Sequence, residues 1–157
     1  PYGGGIVAYI LQSGDPGYIA GQTHGLIAAT SDQSNGIRWY NGSNISTGAT
    51  GAAIGTGLSN TNAIISVQGA TSTSYAAGVA RAHTGGGYTD WYLPSIDEVY
   101  KLYLNRSIIG GFAATETYWS STESGSTHAR NVYIPDGVRY NDPKSDNWYH
   151  VRAVRSF

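Results

Sequence analysis

The segment YTDWYLPSIDE (residues 88–98) contains the clearest helix start in the chain. Ser95 and Glu98 have the spacing of a capping box, in which the serine oxygen accepts the Glu98 amide and the glutamate reaches back. Apolar side chains then recur at intervals of three and four, which predicts one apolar helix face: Val99, Leu102, Tyr103. We predict a helix that begins after Ser95 and ends near Asn105, before a glycine pair.

Upstream of this segment, the chain predicts strands and one long loop. Three runs of β-branched and aromatic residues predict strands at 5–11, 24–29 and 36–40. Residues 41–57 are mostly Gly, Ala, Ser, Thr and Asn, so they offer little material for packing. Long loops of this kind are usually functional or ordered by their own contacts.

Two short helices are predicted between that loop and the capping box. Asn60, Thr61 and Asn62 are capping residues, and they precede a short helical segment at 63–68. A second, small-residue helix is predicted at 74–82, and three consecutive glycines end it.

The last third of the chain predicts an antiparallel meander. Its elements are a strand at 118–122, a hairpin of 131–134 and 138–140 around a Pro-Asp-Gly turn, a polar loop at 141–147 and a strand at 148–154. Strands, then helices, then antiparallel strands predict a single α+β domain over residues 1–157.

The composition favours recognition over catalysis. Only 12% of the 157 residues are charged, the net charge is −1, and the chain has 22 Gly, 13 Tyr and 4 Trp. Tyrosine and tryptophan with Ser, Gly and Asn are typical of binding loops, although a loop-rich extracellular domain has a similar composition. Nine scattered Lys and Arg residues predict no nucleic-acid partner, and no apolar run suits membrane insertion. The first residue, Pro1, predicts a mature or trimmed segment.

No residue pattern predicts an active site or a cofactor. There is no cysteine, and the four histidines are far apart, so we predict no zinc or other metal site, although calcium on single carboxylates stays open. No Gly-x-Ser-x-Gly elbow or phosphate-binding glycine loop occurs. Adjacent Asp97 and Glu98 fit helix capping better than acid–base catalysis. We therefore predict that the protein is not an enzyme.

Residues 124–150 carry the strongest recognition signal, because aromatic, amide and guanidinium groups concentrate there in hairpin and loop positions. Aromatic faces stack on sugars, and planar polar groups bind hydroxyls, carboxylates or sulfates. The candidate ligand-binding residues are Arg130, Asn131, Tyr133, Arg139, Tyr140, Asn141, Lys144, Asp146, Asn147, Trp148, Tyr149 and His150. In the last strand, alternation predicts one face with Tyr149, Val151 and Ala153 and another with His150 and Arg152.

Three motifs resemble the Lcl-type C-terminal domains, named for a bacterial collagen-like adhesin. Residues 90–98 resemble their "DWxLPs.dEl" signature, residues 118–123 (YWSSTE) their central strand, and residues 151–155 (VRAVR) their terminal strand. Residues 24–29 and 36–39 resemble the N-terminal half of the family, so the similarity covers nearly the whole chain. Trp91, Leu93, Pro94 and Trp119 are then core and turn residues.

The resemblance implies a C-type-lectin-like fold with antiparallel strands, two or three short helices and long ordered loops. It also implies distant similarity to sulfatase-modifying enzymes and to retroelement-diversified receptor-binding proteins, whose variable surface corresponds to residues 124–150. The collagen-like adhesins bind sulfated glycosaminoglycans at the tip of a trimeric stalk. The cysteine-dependent chemistry of the modifying enzymes is not expected here, because cysteine is absent.

The charges after Tyr118 argue against a broad heparin-like patch. Five cations (Arg130, Arg139, Lys144, Arg152 and Arg155) are offset by Glu123, Asp136, Asp142 and Asp146. Specific sulfate contacts remain open. For Arg152 and Arg155 we favour a structural role as hydrogen-bonding partners of the terminal strand.

The sequence thus predicts an extracellular or cell-surface module that binds a glycan or another surface receptor. One alternative is a structural subunit or cap of an extracellular fibre, with assembly as a homotrimer or filament. A hydrolase or modifying enzyme is the third and weakest interpretation.

Overall fold

Two antiparallel three-stranded sheets form the frame of the protein in the computed structural model, which describes residues 1–69 and 74–157. The first sheet has the order β1 (Ile6–Ile10), β2 (Gly25–Ala28), β6 (Val154–Ser156). The second consists of β3 (Thr117–Glu123), β4 (His128–Tyr133) and β5 (Arg139–Pro143). The helices are α1 (Gly57–Gln68), α2 (Ala76–Arg81), α3 (Ile96–Leu104) and α4 (Arg106–Ile109). The predicted α+β class is confirmed, whereas the C-type-lectin-like fold and the single domain stay predictions.

Helix α3 has the capping box that its sequence predicts. The Ser95 hydroxyl oxygen accepts the Glu98 amide at 3.3 Å, and a Glu98 carboxylate oxygen accepts the Ser95 amide at 2.7 Å. The other Glu98 oxygen accepts the amide of Gly55 at 2.8 Å, which fastens the preceding loop to the helix. Burial raises the pKa of Glu98, and these amide donors oppose that rise. The helix ends at Leu104, close to the predicted boundary.

Replacing Ser95 with alanine is expected to reduce the free energy of unfolding by about 2 kcal/mol. The substitution removes the cap and also the hydrogen bond that the buried Ser95 hydroxyl donates to the Ala53 carbonyl at 2.9 Å. Urea unfolding followed by tryptophan fluorescence measures the loss. Ser107→Ala, at an exposed position of α4, is the control and is expected to change little. Equal losses in the two variants would contradict the assignment of the cap.

Tryptophans join the core to the irregular segment before the long loop. The indole of Trp39 donates to the Ser120 carbonyl at 2.8 Å, and the indole of Trp119 donates to the Ile37 carbonyl at 2.8 Å. Both rings are fully buried, as are Trp91 and Leu93. The predicted core role of the motif residues is therefore confirmed. Residues 36–40, however, are bends and irregular backbone and not the predicted third strand, because the amides of Ile37 and Trp39 bond two separate segments, at the carbonyls of Tyr149 and Lys144.

Helix α1 corrects the predicted position of the capping residues. The helix begins at Gly57, so Asn60 and Thr61 lie inside it and are buried. Asn60 bonds the backbone of Gly51 in both directions, and the Thr61 hydroxyl donates to the Leu93 carbonyl at 3.1 Å. Residues that usually cap helices here satisfy backbone groups of distant loops.

The C-terminal meander is confirmed in outline and corrected in detail. The predicted hairpin turn has Gly137 at φ +76, in the left-handed region that glycine favours, and Asp136 accepts the Val138 amide at 2.9 Å. Strand β5 continues to Pro143, into the predicted polar loop. The predicted strand at 148–154 is mostly isolated bridges, and both of its predicted faces are buried from His150 onward, whereas Tyr149 is partly buried.

Candidate functional site

A groove of about 270 Å³ opens on one face of the second sheet. Its lining residues are Thr117, Tyr133, Tyr140, Asp142 and Tyr149. Pairing of Thr117 with Tyr133 and of Asn131 with Tyr140 sets these positions on a common face. The opposite face packs on α3 through buried Tyr118 and Val132.

At the end of the sheet away from the groove, the same face is part of the hydrophobic core. Trp119 and Ala129 share this face and lie in the main hydrophobic cluster. The Tyr149 ring packs edge-on against Trp119, with 4.6 Å between the ring centroids. One wall of the groove is therefore held in place by a buried tryptophan.

Asp142 is the charged group of the groove. Its Oδ2 accepts the Asn131 side-chain amide and the Tyr149 hydroxyl, both at 2.9 Å. Within the described part of the chain, Asp142 Oδ1 accepts no hydrogen bond, and neither does the fully buried Oδ1 of Asn131. Burial and the neighbouring Asp142 raise the pKa of Tyr149, so its hydroxyl stays protonated and keeps donating. The free capacity at this point is thus for accepting hydrogen bonds.

The rim of the groove adds an exposed indole and a second carboxylate. Trp148 is 59% exposed and lies edge-on to Tyr149 at 6.1 Å between centroids. Burial raises the pKa of the partly buried Asp146, and the like charge of Asp142 raises it further. Tyr140 is 46% exposed, so its ring is accessible to a partner. The rim and the lining together present rings and carboxylates.

The predicted site residues divide into three groups by burial. Arg139, Tyr140, Asn141, Asn147 and Trp148 are exposed, Arg130, Tyr133, Asp146 and Tyr149 are partly buried, and Asn131, Lys144 and His150 are buried. The structure brings Tyr133, Tyr140 and Tyr149 together in the groove. That these residues contact a ligand stays a prediction.

Lys144 and His150 are largely removed from the surface: the Lys144 side chain is 0% exposed and that of His150 is 10% exposed. Lys144 is fully buried, pairs with the Glu123 carboxylate, and holds its ammonium 4.6 Å from the ring centroid of Trp39. His150 Nδ1 lies 2.8 Å from Asp32 Oδ2. Asn131 is also buried, and its side-chain amide donates to Asp142 from inside the sheet. Polar residue type alone does not reveal such burial.

Arg139 belongs to the interface with α3 and not to the groove. Its guanidinium lies 2.6 Å from the Asp97 carboxylate and 4.4 Å from the ring centroid of Tyr100. Sequence reasoning also missed two lining residues, Thr117 and Asp142. Asp142 follows Tyr140 by two positions, so the two-residue period of a longer β5 would have placed both on one face.

Asp32 is the centre of a second, buried polar cluster. It accepts the Tyr118 hydroxyl at 2.7 Å and the Arg152 Nε at 2.7 Å, besides contacting His150. Arg152 is 1% exposed and donates further to three backbone carbonyls: Ala29, Gly110 and Gly111. Arg155 forms a two-pronged pair with Asp90 at 2.7 and 2.8 Å. The structural role predicted for both arginines is confirmed.

A larger cavity of about 460 Å³ lies beside α4, but its chemistry is plainer. Its lining combines the backbone of Gly110 and Gly111 with the side chains of Phe112 and Ile134, and Arg106 is its only charged residue among those the structure describes. It lacks the convergent polar groups that orient a ligand. We therefore regard the tyrosine groove as the better candidate.

Across residues 1–69 and 74–157, no group of three or more His, Asp or Glu side chains is placed to hold a metal ion. In the same part of the chain, no helix has both the length and the apolar character that crossing a bilayer requires.

Comparison with known proteins identifies a family. A search of curated proteins gives no match. The family model described as the Lcl C-terminal domain matches residues 28–155, from the end of β2 into β6, and so includes every residue of the groove. Because this match covers most of the chain, the protein belongs to the Lcl C-terminal domain family.

Proposed function

We propose that the protein is an extracellular, adhesin-like module that binds a glycan or another surface molecule noncovalently in the tyrosine groove. Membership of the Lcl C-terminal domain family is compatible with an adhesin-like role. The proposal assigns the protein to binding and not to catalysis.

The observation that carries the proposal is the convergence of three tyrosine rings on one carboxylate in an open groove. Aromatic faces pack on the C–H surfaces of sugars, and a carboxylate oxygen accepts sugar hydroxyls. Tyr149 is positioned in advance by Trp119, so little ordering accompanies binding at that wall.

Sulfated ligands fit this groove poorly. None of its described lining residues is Lys or Arg. Of the nearby cations, Lys144 is buried against Glu123, and Arg139 is paired with Asp97. A sulfate group would meet the Asp142 carboxylate with no cation of the lining to offset the repulsion.

Tyr140→Ala is expected to weaken ligand binding about tenfold or more, because it removes an accessible ring from the groove wall. A glycan array and a heparin column at physiological salt first identify the ligand, and titration calorimetry then compares the variants. Tyr18→Ala is the control, since Tyr18 is 40% exposed on the loop between β1 and β2 and is not among the lining residues of the groove. Retention of no glycan or surface molecule would sink the proposal, and equal losses in both variants would exclude the groove.

A structural subunit of an extracellular fibre is the second candidate. The observation in its favour is an apolar surface at the junction of α3 and α4, where Leu104 is 51% exposed and Ile108 is 74% exposed. Light scattering across a concentration series separates the candidates. Growth with concentration supports a fibre, whereas a discrete monomer or trimer argues against it.

A further inference from the structure

The tyrosine groove carries a carboxylate, and none of its described lining residues is a cation. Asp142 lines the groove, and its charge raises the pKa of the neighbouring Asp146 carboxyl. Arg130 pairs with Asn141 at the strand position next to Asp142, so alternation turns it to the opposite face of the sheet. His128 pairs with Pro143, so alternation turns it to that opposite face as well, although its charge lowers the pKa of Asp146.

The hydrogen-bonding capacity of the groove is also one-sided. The Tyr149 hydroxyl and the Asn131 side-chain amide both donate hydrogen bonds to Asp142 Oδ2. Asp142 Oδ1 and the buried Asn131 Oδ1 accept nothing from the described residues. Asn131 Oδ1 lies buried inside the sheet, but Asp142 lines the groove, so its free oxygen favours a ligand rich in donors.

The aromatic rings of the groove favour a ligand group that is positively charged as well as a hydrogen-bond donor. Tyr133 and Tyr140 line the groove, and Trp148 stands exposed at its rim. The faces of such rings attract cations as well as sugar C–H groups. An ammonium group has three donors and no acceptor, which matches the free oxygen of Asp142 and the neighbouring carboxylate of Asp146.

We propose that the groove recognises a glycan with free amino groups, such as a de-N-acetylated hexosamine, whose ammonium group binds at Asp142. This inference rests on the proposed function, because it names the class of glycan for the same groove. The sugar ring stacks on the tyrosines, and the ammonium neutralises the Asp142 carboxylate, beside which the described groove lining places no cation.

The test compares two probes that differ only in N-acetylation. Titration calorimetry uses a fully deacetylated chito-oligosaccharide and its fully acetylated counterpart at physiological salt and a slightly acidic pH, where the amines are protonated. The unaltered protein is expected to bind the deacetylated probe at least about tenfold more tightly. This contrast needs no variant, so it does not depend on any substitution folding correctly.

Two variants locate the charge that matters. Asp142→Asn keeps an oxygen that can accept from Tyr149, and it is expected to lower affinity for the deacetylated probe about tenfold. Asp136→Asn is the matched control, because it removes the same charge at an exposed turn outside the groove and keeps an acceptor for Val138. Circular dichroism and thermal melting verify that both variants are folded. Equal losses in the two variants would show general attraction of a polycation and overturn the inference.

The remaining outcomes separate this inference from the proposed function. Equal binding of both probes, or binding of only other glycans on the array, overturns the preference for amines and leaves glycan recognition intact. Binding of no glycan or surface molecule overturns both.

Discussion

Replacing Lys144 with methionine is expected to lower the free energy of unfolding by about 3–5 kcal/mol. The substitution keeps most of the apolar stem but leaves the Glu123 carboxylate buried without its cation. That carboxylate also accepts the amides of Thr47 and Gly48 at 2.9 and 3.0 Å, so the loss loosens the long loop as well. Urea unfolding measures the effect.

Arg139→Met is the control for this prediction. Arg139 also pairs with a carboxylate, but both partners of that pair are about one-third exposed. A surface pair contributes about 0–1 kcal/mol, so the control is expected to lose little. Comparable losses in the two variants would show that burial does not increase the contribution of the Lys144 pair to the free energy of unfolding.

The Lys144–Glu123 pair also makes the stability of the folded protein depend on pH. Burial alone would raise the pKa of Glu123, but the hydrogen bond from Lys144 and the amides of the loop hold it below its ordinary value of 4.5. The stabilisation is therefore complete above that value and is lost as the pH falls through the lower pKa of the folded state. We expect acid to destabilise the unaltered protein more steeply than Lys144→Met.

Asp32→Ala is the second substitution with a large expected effect, again about 3–5 kcal/mol. It leaves the Arg152 guanidinium buried without its carboxylate and removes the acceptor of the Tyr118 hydroxyl. Because Arg152 also holds the carbonyls of Gly110 and Gly111, the segment after α4 loses its anchor as well. Differential scanning calorimetry is expected to show a fall of roughly 2–4 °C for each kcal/mol.

Asp90→Ala supplies the comparison. Asp90 also binds an arginine of the terminal segment, Arg155, but its carboxylate is 53% exposed. Its loss is expected to cost about 1 kcal/mol or less. A melting temperature equally reduced in both variants would contradict the claim that the buried Asp32 contributes more to stability than the exposed Asp90.

Local patterns in the sequence predict those features that depend on neighbours in the chain. The capping box joins residues three apart, and the hairpin turn depends on Asp136 and Gly137. Asp32, by contrast, meets His150 and Arg152 more than a hundred positions away. No local periodicity encodes that meeting, so the cluster is absent from the sequence-based site.

The candidate groove is predicted in part for the same reason. Aromatic and polar enrichment identifies the segment that holds Tyr133, Tyr140 and Tyr149. Enrichment does not tell which polar side chains face inward, because Lys144 and His150 are as polar as their exposed neighbours. Only the partners Glu123 and Asp32, which lie outside that segment, explain their burial.

Buried polar contacts and surface rings alternate within a few residues of the same segment, and this limits how the protein can diversify. Tyr140 and Trp148 can be exchanged without disturbing an interior contact, whereas Lys144 and His150 between and beside them cannot. A family that retunes its specificity on this scaffold must therefore do so through a discontinuous set of positions and keep the intervening residues constant.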